Sequence, residues 1–218
     1  MDIQENLVRL LAALPEGVRL VAVSKFRPES TIMKAYDAGQ RLFGENRVQE
    51  LIRKQPNLPD DIEWHLIGSL QTNKVKYIVP FISMIQSVDS LKLLQEINRQ
   101  AGKCDRTIRV LLEIHIAEEQ SKHGFSPDDC RALISDGLWL QLANVQICGL
   151  MGMATYTDDK ERVGQEFCTL RNLFDEIRSR PEIDRFLFNE LSMGMSDDFR
   201  IAIDEGSTMV RIGSAIFN

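Results

Sequence analysis

Short apolar runs and longer amphipathic stretches alternate from one end of the chain to the other. MDIQENLVRLLAAL spaces its apolar residues as one helical face and predicts a surface helix. Residues 20–24, LVAVS, read as a buried strand, and Pro28 then opens a helix with Glu29 in its first turn and Gly39 at its end. RLFGEN predicts a second strand, followed by a helix from Arg47 to about Gln55. IEWHLIG is a third strand, then comes a helical NKVKYIVPF, broken near Pro80. MIQSVDS, TIRVLLEIHI, NVQICGLMGMA, FLFNELSMG and TMVRIGSAIF supply five more strands. Between them lie helices over LKLLQEINRQAG, from about Pro127, over ERVGQEFCTLRNLFDEIRSR and over DDFRIAIDEG. Nearly continuous apolar strands alternating with helices imply a parallel sheet covered on its outer face. Eight such units fit a compact (β/α)8 barrel with one extra helix at the front, a TIM barrel; a doubly wound open sheet is the alternative. No linker or composition shift marks a second domain, so residues 1–218 are expected to form one.

Composition removes several classes of function. A net charge of −6 argues against nucleic acid and anionic membrane surfaces as partners, which need a basic field. No stretch approaches the ~20 apolar residues that span a bilayer, and the acidic start lacks the pattern of a signal peptide. Cys104, Cys130, Cys148 and Cys168 are far apart, and His65, His115 and His123 are not at ligand spacing on one helix. Neither a metal site nor a disulfide framework is expected, and a reducing cytoplasm is the expected compartment.

In a barrel of this kind chemistry gathers at the C-terminal ends of the strands. There the sequence puts Ser24 and Lys25, then Gly44, Glu45 and Asn46, then His65 and Gly68, then Met151 to Met153. The last two units end in Ser192, Met193 and Gly194, and in Arg211, Gly213 and Ser214. Glycines and small hydroxyls after strands seven and eight suit a phosphate held on backbone N–H groups. Lys25 either snorkels to water past its strand or stands ready to attack a carbonyl. A phosphate site beside such a lysine suggests a phosphorylated aldehyde held as an imine, and both pyridoxal 5′-phosphate (PLP) and the sugar phosphates of aldolases meet that description.

The pieces AVSK, FGENRVQE, WHLIGSLQTNK, QSVDS, GLMGMA, SMGMSDD and GSTMVRIGSAIF run in order over nearly the whole chain. In this set the chain resembles the pyridoxal-phosphate homeostasis proteins, the YggS or PROSC family. It departs from them at Asn218, where a glycine is usual, and at Arg47, where many relatives carry an aromatic. The resemblance implies a barrel similar to the N-terminal domain of alanine racemase, with PLP held as an aldimine on Lys25. On this reading Ser192, Gly213 and Ser214 hold the phosphate and Arg211 faces the pyridine nitrogen. A permanently cationic arginine there favours the neutral pyridine, a weaker electron sink than a carboxylate partner would give. Asn46 is expected to bond the cofactor's phenolic oxygen or order the lysine, His65 to border the ring, and Met193 to pack near the ring and phosphate. The polar loop 118–125 reads as solvated, with a lid over the cofactor as the alternative. The expected role is PLP homeostasis, with bearing on amino-acid homeostasis and no strong catalysis, in a monomer that passes cofactor to PLP-dependent apoenzymes. The competing roles are a PLP-dependent amino-acid racemase or lyase, and a Schiff-base aldolase using Glu45 or His65 as its acid–base partner.

Overall fold

The protein is described by a computed structural model over residues 2–118 and 123–218. Eight parallel strands close into a barrel in sequence order. They are β1 (Arg19–Val23), β2 (Leu42–Glu45), β3 (Glu63–Leu66), β4 (Met84–Val88), β5 (Ile108–Ile114), β6 (Val145–Gly152), β7 (Glu190–Ser192) and β8 (Met209–Ile212). The helices are α1 (Ile3–Ala13), α2 (Glu29–Asp37), α3 (Val48–Lys54), α4 (Val75–Ile78), α5 (Leu91–Gly102), α6 (Pro127–Asp136), α7 (Lys160–Arg178), α8 (Phe199–Asp204) and α9 (Ser214–Phe217). The barrel closes where β1 pairs with β8, Ala22 opposite Ile212. The expected barrel, with its extra leading helix, is therefore the architecture found, and the open sheet is not.

Helix starts follow local chemistry. Ser90, Ser126 and Asp159 each accept a backbone N–H of the first turn of α5, α6 and α7, supplying partners that helix ends otherwise lack. Alternation along each strand then divides the apolar residues. One set packs outward against the helices; the other, including Val21, Met84, Leu111, Cys148 and Met209, fills the barrel interior. Arg19 and Arg109 close the N-terminal end by converging on one oxygen of Glu190, 3.0 Å from Arg109.

Three expected elements differ. The last strand stops at Ile212, and residues 214–217 turn into α9. There Ile216 and Phe217 are buried, and the Ile216 carbonyl accepts the Asn6 side-chain amide of α1. Strand seven is only three residues long, because Asp184 captures the backbone N–H groups of Phe186 and Phe188 and holds the preceding segment as a turn. The helix predicted over NKVKYIVPF is a 3-10 turn, Thr72–Lys74, leading into the four residues of α4. Of the loop 118–125, residues 119–122 lie outside the described residues; Phe125 pairs with Ile114 in an isolated bridge.

Candidate functional site at the C-terminal mouth

The barrel brings the rim residues together as strand ends. Lys25 follows β1 and is exposed; Asn46 follows β2 and is half-buried. Gly213, half-buried, and Ser214, exposed, follow β8, next to β1. The loops after β7 and β8 are knitted together: the Arg211 amide donates to the Gly194 carbonyl at 2.9 Å, and the Gly213 amide to Ser196 Oγ at 3.4 Å. Gly194 has φ +96°, and a Cβ there would stand 2.6 Å from that of Ala202, so only glycine brings the β7 loop this close to α8.

Contact is equally tight after β3. A Cβ on Gly68 would lie 2.4 Å from the Asn46 carbonyl oxygen. Gly68→Ala is therefore expected to push Asn46 from the rim and to cost about 1–3 kcal/mol, measurable by urea unfolding.

Beneath the rim runs a directed chain of hydrogen bonds. Arg211 donates through one terminal nitrogen to Ser192 Oγ at 2.6 Å and through the other to the Gly152 carbonyl at 2.9 Å. Ser192 donates to Gln86 Oε1 at 2.7 Å, and the Gln86 amide lies 2.8 Å from His65 Nδ1. Gln86 can only donate through that nitrogen, so His65 accepts at Nδ1 and carries its proton on Nε2, a buried atom with no hydrogen-bond partner among the described residues. Burial lowers Arg211 to about 10, with Asp198 and Glu113 opposing, so it remains a cation at neutral pH. Burial, with Arg19 and Arg109, lowers His65 to about 3.

Four of the expected site residues, Ser192, His65, Met193 and Arg211, are buried below the mouth rather than exposed on it. Ser192 is fully buried, its hydroxyl engaged by Arg211 and Gln86; the half-buried hydroxyl at the Gly213 amide belongs to Ser196. SMGMSDD contains both serines, and it is the one past the strand end, beyond Gly194, that meets the Gly213 amide. His65 is also fully buried, one link of the interior chain. Met193 is fully buried in the outer apolar core. Arg211 is buried too.

His65 leads to a pH prediction. Its folded value lies below its ordinary one, so between about 6.5 and 3 only the unfolded chain takes the proton. This contribution is fully present above pH 6.5 and is lost as pH falls, at about 1.4 kcal/mol per unit. Unfolding free energies at pH 7 and pH 5 should show that loss, and His65→Asn should lower the pH slope by one proton's worth. An unchanged slope would contradict the assignment.

A second polar group lies under the β1 and β2 ends and was not anticipated. Lys54, fully buried on α3, donates to Glu45 Oε1 at 2.6 Å, Glu50 Oε2 at 2.7 Å and the Ser24 carbonyl at 2.9 Å. Ser24 Oγ adds a 2.6 Å bond to the same Glu45 oxygen. Burial raises Glu45 against the hydrogen bonds from Lys54 and Ser24. Burial also works to raise Glu50, but bonds from Lys54 and the Phe26 amide turn its net shift downward. On the opposite side of the mouth an open cleft runs between Glu113, His115, Met153, Tyr156 and Met195. Burial and the charge of Asp89 raise Glu113 there. Among the described residues no group of three or more His, Cys, Asp or Glu could hold a metal ion, and no helix is long and apolar enough to cross a membrane.

Comparison with known proteins extends the picture. The family model for the alanine racemase N-terminal domain matches residues 2–218. A pyridoxal phosphate homeostasis protein of Aquifex aeolicus is 40% identical over 200 residues, covering 91% of this chain and 86% of that protein. The structure of PipY from Synechococcus elongatus without PLP superposes with a TM-score of 0.92 at 40% identity, over 99% of this chain and 100% of PipY. PipY with PLP bound gives 0.88 at 39% identity, with the same coverage. Alanine racemase of Clostridium difficile shares the fold, with a TM-score of 0.78 at 15% identity over 99% of this chain and 56% of the racemase.

Proposed function

Because the chain belongs to the pyridoxal phosphate homeostasis proteins, we propose that it binds PLP at the C-terminal mouth of the barrel, holds it on Lys25 and hands it on. The observation that supports this reading is the register of β1 against β8, Ala22 opposite Ile212, by which the turn carrying Lys25 leaves the barrel next to the Gly213–Ser214 loop, with Arg211 lower on the same strand pair. PipY, 39% identical, has been solved with PLP bound.

The residues suit the group. Lys25 offers an exposed primary amine in the turn just past β1, the strand paired with β8. Ser196, Ser214 and the α9 end offer hydroxyls and backbone N–H groups for a phosphate dianion. Arg211 spends two of its five N–H groups on Ser192 and Gly152 and keeps others for the pyridine nitrogen. When bound, PLP supplies an aldehyde that combines with amines and a ring that accepts electrons. Arg211, being cationic, cannot take a proton from the ring and keeps its nitrogen an acceptor. Ser192, Gln86 and His65 hold Arg211 in place, Asn46 borders the rim beside Lys25, and Met193 packs the loop that carries the cradle.

Holding rather than turnover is supported by the state of the acid–base candidates. Glu45 is sealed against Lys54 and Ser24, and His65 is buried and neutral, so neither is free to exchange protons at the mouth. The same fact weighs against an aldolase, while the open cleft by Glu113 suits cofactor entry and exit. Titration of the purified protein with PLP, followed by mixing with a PLP-dependent apoenzyme, tests this. A saturable visible band that transfers, with no racemization of L-amino acids beyond buffer, is expected. Sustained racemization tracking the purified protein would overturn the holding role.

A further inference from the structure

We infer that Lys54 is a positioning residue for Lys25: its buried ammonium ties down the backbone on both sides of that lysine and so fixes where the amine stands. The inference rests on the reading of Lys25 as the cofactor's anchor.

Lys25 sits second in a four-residue turn. The Arg27 amide closes it onto the Ser24 carbonyl at 3.0 Å, and Phe26 in third position has φ +62°. That is the type II pattern, whose third position favours glycine, and an aromatic residue there is strained by about 1–3 kcal/mol. Burial does not hold Phe26 in this conformation, since its side chain is 69% exposed, with the Arg47 guanidinium over the ring, 5.4 Å from its centroid. Its backbone N–H is what is held, by Glu50 Oε2 at 3.1 Å. Lys54 holds that same Glu50 oxygen and reaches the Ser24 carbonyl as well. A single ammonium therefore connects to the residue before Lys25 directly and to the residue after it through one carboxylate.

Stability alone does not explain the arrangement. A buried ion pair returns little net free energy compared with apolar residues of the same volume, because both charges lose their hydration. Here one lysine and two glutamates occupy the space beneath the one turn that carries the proposed anchor. Such groups are suited to fixing one geometry among several of similar energy.

The experiment compares Glu50→Ala, which leaves the Lys54–Glu45 pair intact and removes the carboxylate joining Lys54 to the Phe26 amide, with Lys54→Met. The control is Leu133→Ala in the core under α6, on the far side of the barrel. Two readouts are taken: hydrogen exchange of the Phe26 amide in cofactor-free protein by NMR, and the dissociation constant for PLP. Both clamp variants are expected to lose at least tenfold in Phe26 protection and at least tenfold in PLP affinity. Leu133→Ala should lose stability yet keep both values. Unchanged protection and affinity in Glu50→Ala would overturn the inference, as would equal changes in Leu133→Ala. Should wild-type protein fail to take PLP on Lys25, the proposed function falls, while the amide readout, needing no cofactor, still decides whether the clamp exists.

Discussion

Lys25→Ala is expected to fold as the wild type does and to lose covalent cofactor completely. Lys25 lies past the end of β1 with its side chain exposed, so removing it takes nothing from the core. Exposed substitutions of this kind usually stay within about 0.5 kcal/mol. The loops after β7 and β8 and the Arg211 chain remain, so on the proposed binding mode the phosphate and ring contacts should persist. Binding should weaken by about two orders of magnitude or more, about 2.7 kcal/mol, and the cofactor should leave faster on dialysis than from the wild type. The checks are the melting temperature, expected unchanged, and the visible band with PLP, expected absent. A Lys25→Ala protein that retains the band would place the anchor on another lysine.

The largest loss of stability is expected from Lys54→Ala. The wild-type ammonium is fully buried among Glu45, Glu50 and the Ser24 carbonyl. Truncation leaves Glu45 buried as an uncompensated carboxylate beside a second one. Breaking a buried pair from one side typically costs about 3–5 kcal/mol. At about 2–4 °C per kcal/mol for a chain of this size, the melting temperature should fall by about 6–20 °C. The sign of the pH dependence is distinctive. Without Lys54 the two carboxylates relieve their repulsion by taking up protons, so the deficit relative to wild type should shrink as pH falls from 7.5 to 5. A deficit constant across that range would mean that lost packing, rather than unpaired charge, dominates.

The barrel was legible because its signal repeats. Eight apolar runs separated by amphipathic stretches leave little choice of architecture, and each strand end then names a rim position. Lys25, Arg211 and Gly213 could be read that way because each lies at or just past a strand end. The surroundings of Ser192 were not legible on that basis: a serine closing a three-residue strand points into the barrel toward Arg211 and Gln86, and the hydroxyl at the Gly213 amide comes four residues later at Ser196. The Arg211–Ser192–Gln86–His65 chain joins four strands, and no spacing within the sequence reveals such a contact. Lys54 did leave a trace. It falls on the face of α3 shared by Val48 and Leu51, where an apolar residue belongs, and a lysine on that face asks for a buried acid. The β1–β2 register, Val23 opposite Gly44, brings Glu45 to it. The short α9 was missed because AIF continues the apolar run of β8, and only closure of the barrel ends that strand at Gly213.

The most direct test of the account is borohydride reduction of the wild-type protein after incubation with PLP, followed by peptide mass mapping. One pyridoxyl adduct, on Lys25, is the predicted result. No adduct, or adducts spread over other lysines, would return Lys25 to a solvated residue at a strand end and contradict the proposed site.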